Sequence, residues 1–374
     1  MRINLYGNVC QNAYALTKWL REAGVDARLF VERNFPWLPE HEDPELRGRY
    51  PPWIHVTADL RWRRYGLFDR DFVARLGDCD LVHTFYYGPI WARKTGRPFV
   101  FQTYGGDLNV LPFRTGSLHQ RYLAWAQRRG IRDAARVLVA NPKSPVRQDA
   151  IRRLGLTRVA LMPLPIDTDM FASKAPEQTA QDKAEWLFFH PARHVWGEGS
   201  AAWEQKGNDR VFRAFARFLQ ITGSRARLLA IRHGPNIRAS ELLVHDLGIA
   251  HAVEWMAPVS RRRLVELYQA ADIVLDQFVL GAFGGCTLEA LSCGRPVFTS
   301  LVEDDNQPPV VNVTSEEEIC EALVKYTSDP RSLCALGRVS RQWILDHHGA
   351  RRIIHRYIAV YEEILAAARS TARR

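Results

Sequence analysis

Residues 276–300 read DQFVLGAFGGCTLEALSCGRPVFTS. The run just before them, Ile273-Val274-Leu275, is apolar and suits a buried strand. Gly281-Ala282-Phe283-Gly284-Gly285 forms a glycine loop, and a short helix is expected from Cys286 to Cys293. Gly294 suits the C-terminal cap of that helix, and Pro296 cannot continue it. Val297-Phe298-Thr299 then reads as a second strand. A glycine loop opening into a helix lets a phosphate approach the N–H groups at the helix start, where the dipole favours an anion. Glu289, one turn in, places a carboxylate where two adjacent hydroxyls can donate to it. Phosphate plus diol describes a nucleotide. A structural βα turn with a solvated Glu289 fits the same residues.

The chain has 374 residues, 47% hydrophobic and 25% charged, as expected of a globular protein long enough for two cores. No apolar run approaches the ~18–20 residues of a membrane-spanning helix. The opening MRINLYGN reads as a strand rather than a signal peptide. Six scattered cysteines form no CxxC pair, which argues against a zinc site or a disulfide framework and fits a reducing cytoplasm. The charge is uneven. Residues 1–165 carry 26 Lys and Arg against 15 Asp and Glu, whereas the whole chain is +10. All the basic excess therefore lies in the first half and suggests an anionic partner: nucleic acid, lipid headgroups or an acidic glycan. No recognised nucleic-acid module or interleaved aromatic platform accompanies it, so nucleic acid is not expected.

From the N-terminus, Met1–Tyr6, a Gly7-Asn8 turn, a helix up to Gly24 and a strand at Asp26–Val31 make a βαβ opening and imply a parallel sheet. The turn is not GxGxxG, so a dinucleotide fingerprint is absent. Residues 34–57 read as a long loop rich in Pro, Trp and acids. Over residues 58–76, Tyr65, Phe68, Phe72 and Leu76 share one helical face among Arg61, Arg63, Arg64, Arg70 and Arg75. Such a helix lies at an anionic membrane surface or packs on its own core. His83 ends a strand and is placed to contact an acceptor or to pack. Residues 98–103 form another strand, running into Tyr104-Gly105-Gly106-Asp107, the kind of loop where open α/β sheets hold ligands. The segment MPLPIDTDMF reads as a linker. A second series of strands, loops and helices begins at Trp186. It includes Arg193, a polar insertion at 196–205, Lys206-Gly207 and Gly234-Pro235.

This order of motifs resembles the retaining GT-B glycosyltransferases of glycosyltransferase family 4. The resemblance covers most of the chain and is densest from Pro191 to Val297. It rests on Gly7-Asn8, on Tyr104-Gly105-Gly106-Asp107-Leu108, and on Ile166-Asp167-Thr168-Asp169-Met170-Phe171. It rests further on Arg193, Lys206-Gly207, Gly234-Pro235 and the block from Gly281 to Val297. The fold implied is α/β, with two Rossmann-like domains facing across a cleft. Residues 1–165 would be the acceptor domain and 172–350 the nucleotide-sugar domain. Residues 351–374 would form a helix crossing back to the first domain.

The resemblance also implies roles. Arg193 and Lys206 would be catalytic cations on the leaving diphosphate, with no metal required. Gly234, Phe283, Gly284, Gly285, Cys286, Thr287 and Glu289 would hold the donor, Glu289 through its ribose. Gly7, Asn8, His83, Tyr104, Gly105 and Asp107 would lie on the acceptor or sugar side. Two positions depart from the family pattern. Gly281 stands where a carboxylate usually meets the donor sugar, and Tyr104 where many members have a histidine. The expectation is a cytoplasmic enzyme, peripheral at the inner membrane face, moving a hexose from a UDP- or GDP-sugar to a glycan or lipid-linked acceptor in cell-surface polysaccharide or glycolipid assembly. A catalytically weak binding subunit is the alternative that Gly281 and Tyr104 raise.

Overall fold

The structure, a computed structural model, describes residues 1–57, 69–141, 144–173, 185–199, 204–302 and 307–372. The chain divides into two compact units, residues 1–165 with 350–374, and residues 166–349.

The first unit holds β1 (Arg2–Tyr6), α1 (Asn12–Glu22), β2 (Asp26–Glu32), β3 (Ile54–Thr57), α2 (Arg70–Leu76), β4 (Leu81–Thr84) and α3 (Gly88–Ala92). It continues with β5 (Phe99–Thr103), α4 (Gly106–Asn109), α5 (Leu118–Asp133), β6 (Arg136–Val139), α6 (Pro145–Leu154) and β7 (Val159–Leu161). Its sheet is parallel, in the order β3-β2-β1-β4-β5-β6-β7. The order reverses beside β1, whose neighbours are β2 and β4, and ligands of open α/β sheets bind beyond the strand ends at such a switch. Strand β3 lies inside the stretch expected to be loop. The Pro and Trp residues of 34–53 obscured the short β-branched run Ile54-His55-Val56-Thr57, which pairs with β2.

Of the helix expected over 58–76, residues 58–68 lie outside the described residues. The remainder begins at Arg70, where the Asp69 carboxylate caps the Phe72 amide. Phe72 and Leu76 are fully buried in the sheet's own core, so this part packs inward.

The second unit holds β8 (Trp186–His190), α7 (Asn208–Thr222), β9 (Ala226–Ile231), α8 (Ile237–Asp246), β10 (Val253–Met256) and α9 (Arg261–Ala270). It continues with β11 (Ile273–Leu275), α10 (Gly285–Ser292), β12 (Val297–Thr299), β13 (Val311–Asn312), α11 (Glu316–Ser328) and α12 (Pro330–His347). Its parallel sheet runs β10-β9-β8-β11-β12-β13, with the reversal beside β8. Phe212, Phe215 and Phe218 recur at helical spacing on α7 and bury fully against Phe188 of β8. The segment read as a linker is instead folded into this unit from Ile166 onward. The Ile166 amide bonds the His348 carbonyl at 2.8 Å, Phe171 is fully buried, and Arg341 donates to the Phe171 and Thr168 carbonyls.

The last helix, α13 (Ala350–Ala372), belongs to the first unit. Two buried tyrosines secure it there. The Tyr357 hydroxyl donates to Gln102 at 3.0 Å, and that of Tyr361 lies 2.6 Å from Nδ1 of His83. His83 is therefore a packed residue. It is fully buried, stacked on Phe85, and removed from any acceptor.

Burial holds His83, His190 and His194 neutral, pulling their pKa values down to about 3, 4 and 3. Unfolded histidines bind protons near pH 6.5, so the unfolded state gains protons first as pH falls. Stability present above pH 6.5 should therefore be lost progressively toward pH 4, by up to ~1.4 kcal/mol per pH unit per histidine. Urea midpoints measured from pH 7.5 to pH 4.5 check this. A flat profile would contradict it.

Candidate active site

The loops after β8 and β11 flank the reversal in the second sheet and carry Arg193, Lys206 and the glycine loop. A buried polar chain positions them. The His190 ring faces the Leu275 carbonyl through Nδ1 at 2.7 Å, and a carbonyl can only accept, so Nδ1 carries the proton. Nε2 then accepts from the Asn208 amide at 2.9 Å, while Oδ1 of Asn208 accepts from the Val195 N–H at 3.0 Å. The ends of β8 and β11 and the start of α7 are thereby tied together. Asn208 was not singled out in the sequence. A single polar residue after Lys-Gly gives no sign of burial.

Lys206 is fixed on both sides by its backbone, its N–H donating to Val195 and its carbonyl accepting from Phe278. Gly207, which caps the start of α7, has φ +70°, and a Cβ there would lie 3.0 Å from Val279. The Lys206 ammonium donates to the side chain of Gln277, whose amide group donates in turn to the Ala282 carbonyl of the glycine loop. Gln277 is nearly fully buried and couples the cation to the loop. Burial lowers the Lys206 pKa, and buried Asp276 opposes that shift. Arg193 is also close enough to Lys206 to be felt electrostatically. Its guanidinium is half-exposed, 3.6 Å from Glu204 at the end of the insertion. Residues 200–203 of that insertion lie outside the described residues.

The turn at Gly234 holds the other end of the Arg193 segment. The His194 N–H donates to the His233 carbonyl at 2.7 Å, and the His194 carbonyl accepts from the Asn236 N–H at 3.1 Å. Gly234 has φ +128°, and a Cβ there would come within 2.4 Å of the His194 carbonyl oxygen.

The glycine loop contains two kinds of glycine. Gly281 has φ +61°, and a Cβ there would meet the Val302 side chain at 2.6 Å, so a side chain at this position, where the family pattern has a carboxylate, would be strained. Gly284 and Gly285 are not left-handed, and a Cβ at either meets nothing within 4 Å. Neither backbone conformation nor packing accounts for those two. Both leave open space at the start of α10.

Phe283 packs edge-on against Trp343 and His348, leaving its backbone to the loop. Cys286 is half-buried, and burial raises its thiol pKa, keeping it neutral. Thr287 is turned inward, its hydroxyl donating to Asp276 at 2.5 Å, so that side chain braces the helix start and does not face a ligand.

Glu289 is mostly buried. One oxygen accepts from Arg261 at 2.9 Å and the other from the Tyr268 hydroxyl at 3.3 Å. Arg261, at the start of α9, also lies over the Phe171 ring. The sequence gives no sign of it, since three arginines stand together at 261–263 and nothing local separates the buried one. Arg261 orients the Glu289 carboxylate, so Arg261→Ala should raise the KM of any ligand bound through Glu289 about 10-fold, since a hydrogen bond to a charged group is worth ~1.5–3 kcal/mol. The kcat should change little and Arg261→Lys should restore part of the affinity. Equal loss in kcat and no change in KM would contradict this.

In the first unit, the candidate residues divide. Asn8 is buried and spends its side chain on Gln11, the Trp37 carbonyl and the Tyr14 N–H, so it shapes the loop before α1. Asp107 is likewise internal, accepting from the Thr103 hydroxyl and from the Tyr104 and Gly105 N–H groups. The Tyr104 ring stacks on Phe85 and its hydroxyl accepts from Gln102.

Gly7, in contrast, lines a cavity of about 250 Å³ beyond the ends of β1, β2 and β4. Tyr6, Phe35, Phe85, Tyr86 and Tyr87 supply its aromatic walls, and Glu32, bonded to the Tyr6 hydroxyl at 2.6 Å, its charge. Tyr86 holds a left-handed φ of +54°, costly for a bulky residue, with its carbonyl accepting from buried Gln127. Glu32 and Tyr86 carry no motif and come together only through the sheet order.

Residues 11–170 match the family model of Glycosyltransferase Family 4, and residues 195–329 that of Glycosyl transferases group 1. A D-inositol 3-phosphate glycosyltransferase of Corynebacterium jeikeium is 30% identical over 220 residues, 55% of this chain and 52% of its own. The chain spans about half the length of the inositol-phosphate relatives it matches. A 2-deoxystreptamine glucosyltransferase of Streptomyces kanamyceticus is 23% identical over 95% of this chain and 98% of its own. The Anabaena protein HepE, solved with UDP and glucose, aligns with a TM-score of 0.71 at 15% identity, over 97% of this chain and 99% of its own. Two parallel-sheet domains, each matched by its own family model, place the chain among proteins of the GT-B glycosyltransferase fold, with a family 4 domain followed by a group 1 domain.

Proposed function

We propose that the chain is a glycosyltransferase that moves a hexose from a UDP- or GDP-sugar to a hydroxyl of a glycan or lipid-linked acceptor, with retention at the anomeric carbon. The observation that carries this reading is the site beside β8. Arg193, Lys206 and the start of α10 surround a loop whose Gly284 and Gly285 the fold itself does not demand.

In this scheme the bond from the sugar C1 to the diphosphate oxygen breaks as a C1–O bond to the acceptor forms on the same face. The acceptor proton passes to the departing phosphate oxygen. Charge gathers on the diphosphate, where the Arg193 fork, the Lys206 ammonium and the α10 N–H groups meet it, so the chain's own cations serve and no metal is called for. Glu289, held by Arg261 and Tyr268, accepts from the ribose hydroxyls.

The aromatic cavity beside Gly7 supplies the acceptor side. Two relatives are named for inositol 3-phosphate and 2-deoxystreptamine, both substituted six-membered rings, and flat aromatic walls with one carboxylate suit such a ring. Glu32→Gln should raise the acceptor KM about 10-fold, a charge-assisted hydrogen bond being worth ~1.5–3 kcal/mol. The donor KM should not move, and a shift in it instead would remove the acceptor from this cavity.

Gly281 favours a second reading, a binding subunit with weak turnover, because the loop lacks the carboxylate that would contact the donor sugar. Proton NMR of products from UDP- and GDP-hexoses with hydroxylated-ring acceptors tests both. An axial anomeric linkage supports the enzyme. Donor binding without product supports the subunit. Neither binding nor product overturns both.

A further inference from the structure

Strand β11 ends at Leu275, and the next three residues all bear on Lys206. The Phe278 N–H donates to the Lys206 carbonyl at 2.8 Å, and the Gln277 side chain accepts from the Lys206 ammonium. Asp276 is 5% exposed, with its own N–H held by the Phe298 carbonyl at 3.0 Å. Its carboxylate accepts from the hydroxyl of Thr287, in the first turn of α10, at 2.5 Å. A neutral hydroxyl does not by itself offset a buried charge, which needs a cation close by. Lys206 is the cation that Asp276 feels. The ammonium in turn feels Asp276, Cys286, Arg193 and Glu204. Burial keeps the Cys286 thiol neutral, and it does the same for the Tyr268 hydroxyl, another titratable neighbour of Asp276. Glu204 lies 3.6 Å from Arg193 and is partnered there. Among the described residues, Asp276 is therefore the buried counter-charge of Lys206.

We infer that Asp276 is a positioning residue for the proposed transfer: one carboxylate fixes the start of α10 and holds Lys206 charged beside it. The inference rests on the donor reading above. In that reading the α10 N–H groups and the Lys206 ammonium meet the same diphosphate, so a group bonded to the first and paired with the second sets both. A carboxylate sealed in the protein does this without meeting the anionic donor, which an exposed carboxylate would repel.

The test is carbon-13 NMR of the full chain labelled at the lysine ε-carbons and titrated into the alkaline range, with the Lys206 signal assigned by its loss in Lys206→Met. Asp276→Asn keeps an acceptor for Thr287 and removes the charge. In it Lys206 should titrate about one pH unit lower than in the wild type, since a close opposite charge shifts a pKa by about 1–3 units. The alkaline limb of kcat with a UDP- or GDP-hexose should fall by the same amount. Thr287→Val cuts the brace and leaves the charge. Its Lys206 should titrate as in the wild type, while affinity for UDP or GDP drops about fivefold, the worth of one hydrogen bond. Carboxyl carbon-13 NMR reads the pair from the other side, without the Asp276 variant. In Lys206→Met the Asp276 carboxyl should titrate about one pH unit higher than in the wild type. These titrations need no donor, so the two claims separate. Equal Lys206 titration in the wild type and Asp276→Asn, or an Asp276 carboxyl unmoved by Lys206→Met, overturns the inference and leaves the transfer reading standing. A shifted Lys206 titration with an unmoved kcat limb also overturns it. Shifted titrations in a chain that binds neither UDP nor GDP overturn the transfer reading and, with it, the part given to Asp276.

Discussion

Replacing Lys206 by Met should lower kcat by about 10²–10³, the range seen when one preorganised charge on a developing anion is removed. Methionine keeps the volume of the slot, so the loss reports the charge rather than a cavity. The ammonium is partly buried, held by Gln277 and set near Arg193. Gln277→Ala keeps the cation but cuts its link to the Ala282 carbonyl, and misplacement of this order costs about 10- to 100-fold. Because burial lowers the Lys206 pKa, the charged form and the activity should also be lost at lower alkaline pH than an ordinary lysine would allow. Steady-state kinetics with a UDP- or GDP-hexose donor checks all three. Wild-type kcat in Lys206→Met would remove this residue from the chemistry.

The second large effect is on stability. Gly234→Ala forces a Cβ to within 2.4 Å of a backbone oxygen at a φ of +128°. The strain of such a conformation is ~1–3 kcal/mol, and the two His194 backbone bonds it disturbs are worth ~0.5–1.5 kcal/mol each. A total near ~3 kcal/mol lowers the melting temperature of a domain this size by about 6–12 °C. Gly284→Ala provides the contrast. Its Cβ enters open space, so stability should stay within about 0.5 kcal/mol while donor affinity falls. Calorimetric melts of the two variants, with donor titrations, separate a glycine needed by the fold from one needed by the ligand. Equal melting temperatures in Gly234→Ala and the wild type would contradict the packing argument.

Much of the second unit was legible in the sequence because its signals are local. The run Ile273–Leu275, the glycine loop and Gly294-Arg295-Pro296 mark a strand, a loop and a helix end by composition alone, and the helix from Gly285 to Ser292 lies within one residue of expectation. Gly234 and Gly281 were visible as glycines. That one is pressed on His194 and the other on Val302 depends on residues far along the chain.

The partners of the site residues were hidden for the same reason. Asn208, Gln277 and Arg261 matter through what they touch, and none stands in a pattern. The first unit was harder to read. His83 and Asp107 lie at strand ends, where ligand contact and internal bracing look alike, and only burial separates them. Strand β3 was lost in a Pro-rich context, and the aromatic cavity needed β1, β2 and β4 side by side.

The proposed transfer requires the second unit to hold a nucleoside diphosphate beside β8. Isothermal titration of UDP and GDP into the wild type, Lys206→Met and Glu289→Gln tests it most directly. One nucleotide should bind the wild type and lose at least about 10-fold in affinity in each variant, as expected for a lost charge-assisted contact of ~1.5–3 kcal/mol. Binding of neither nucleotide, or equal affinity in all three proteins, would contradict it.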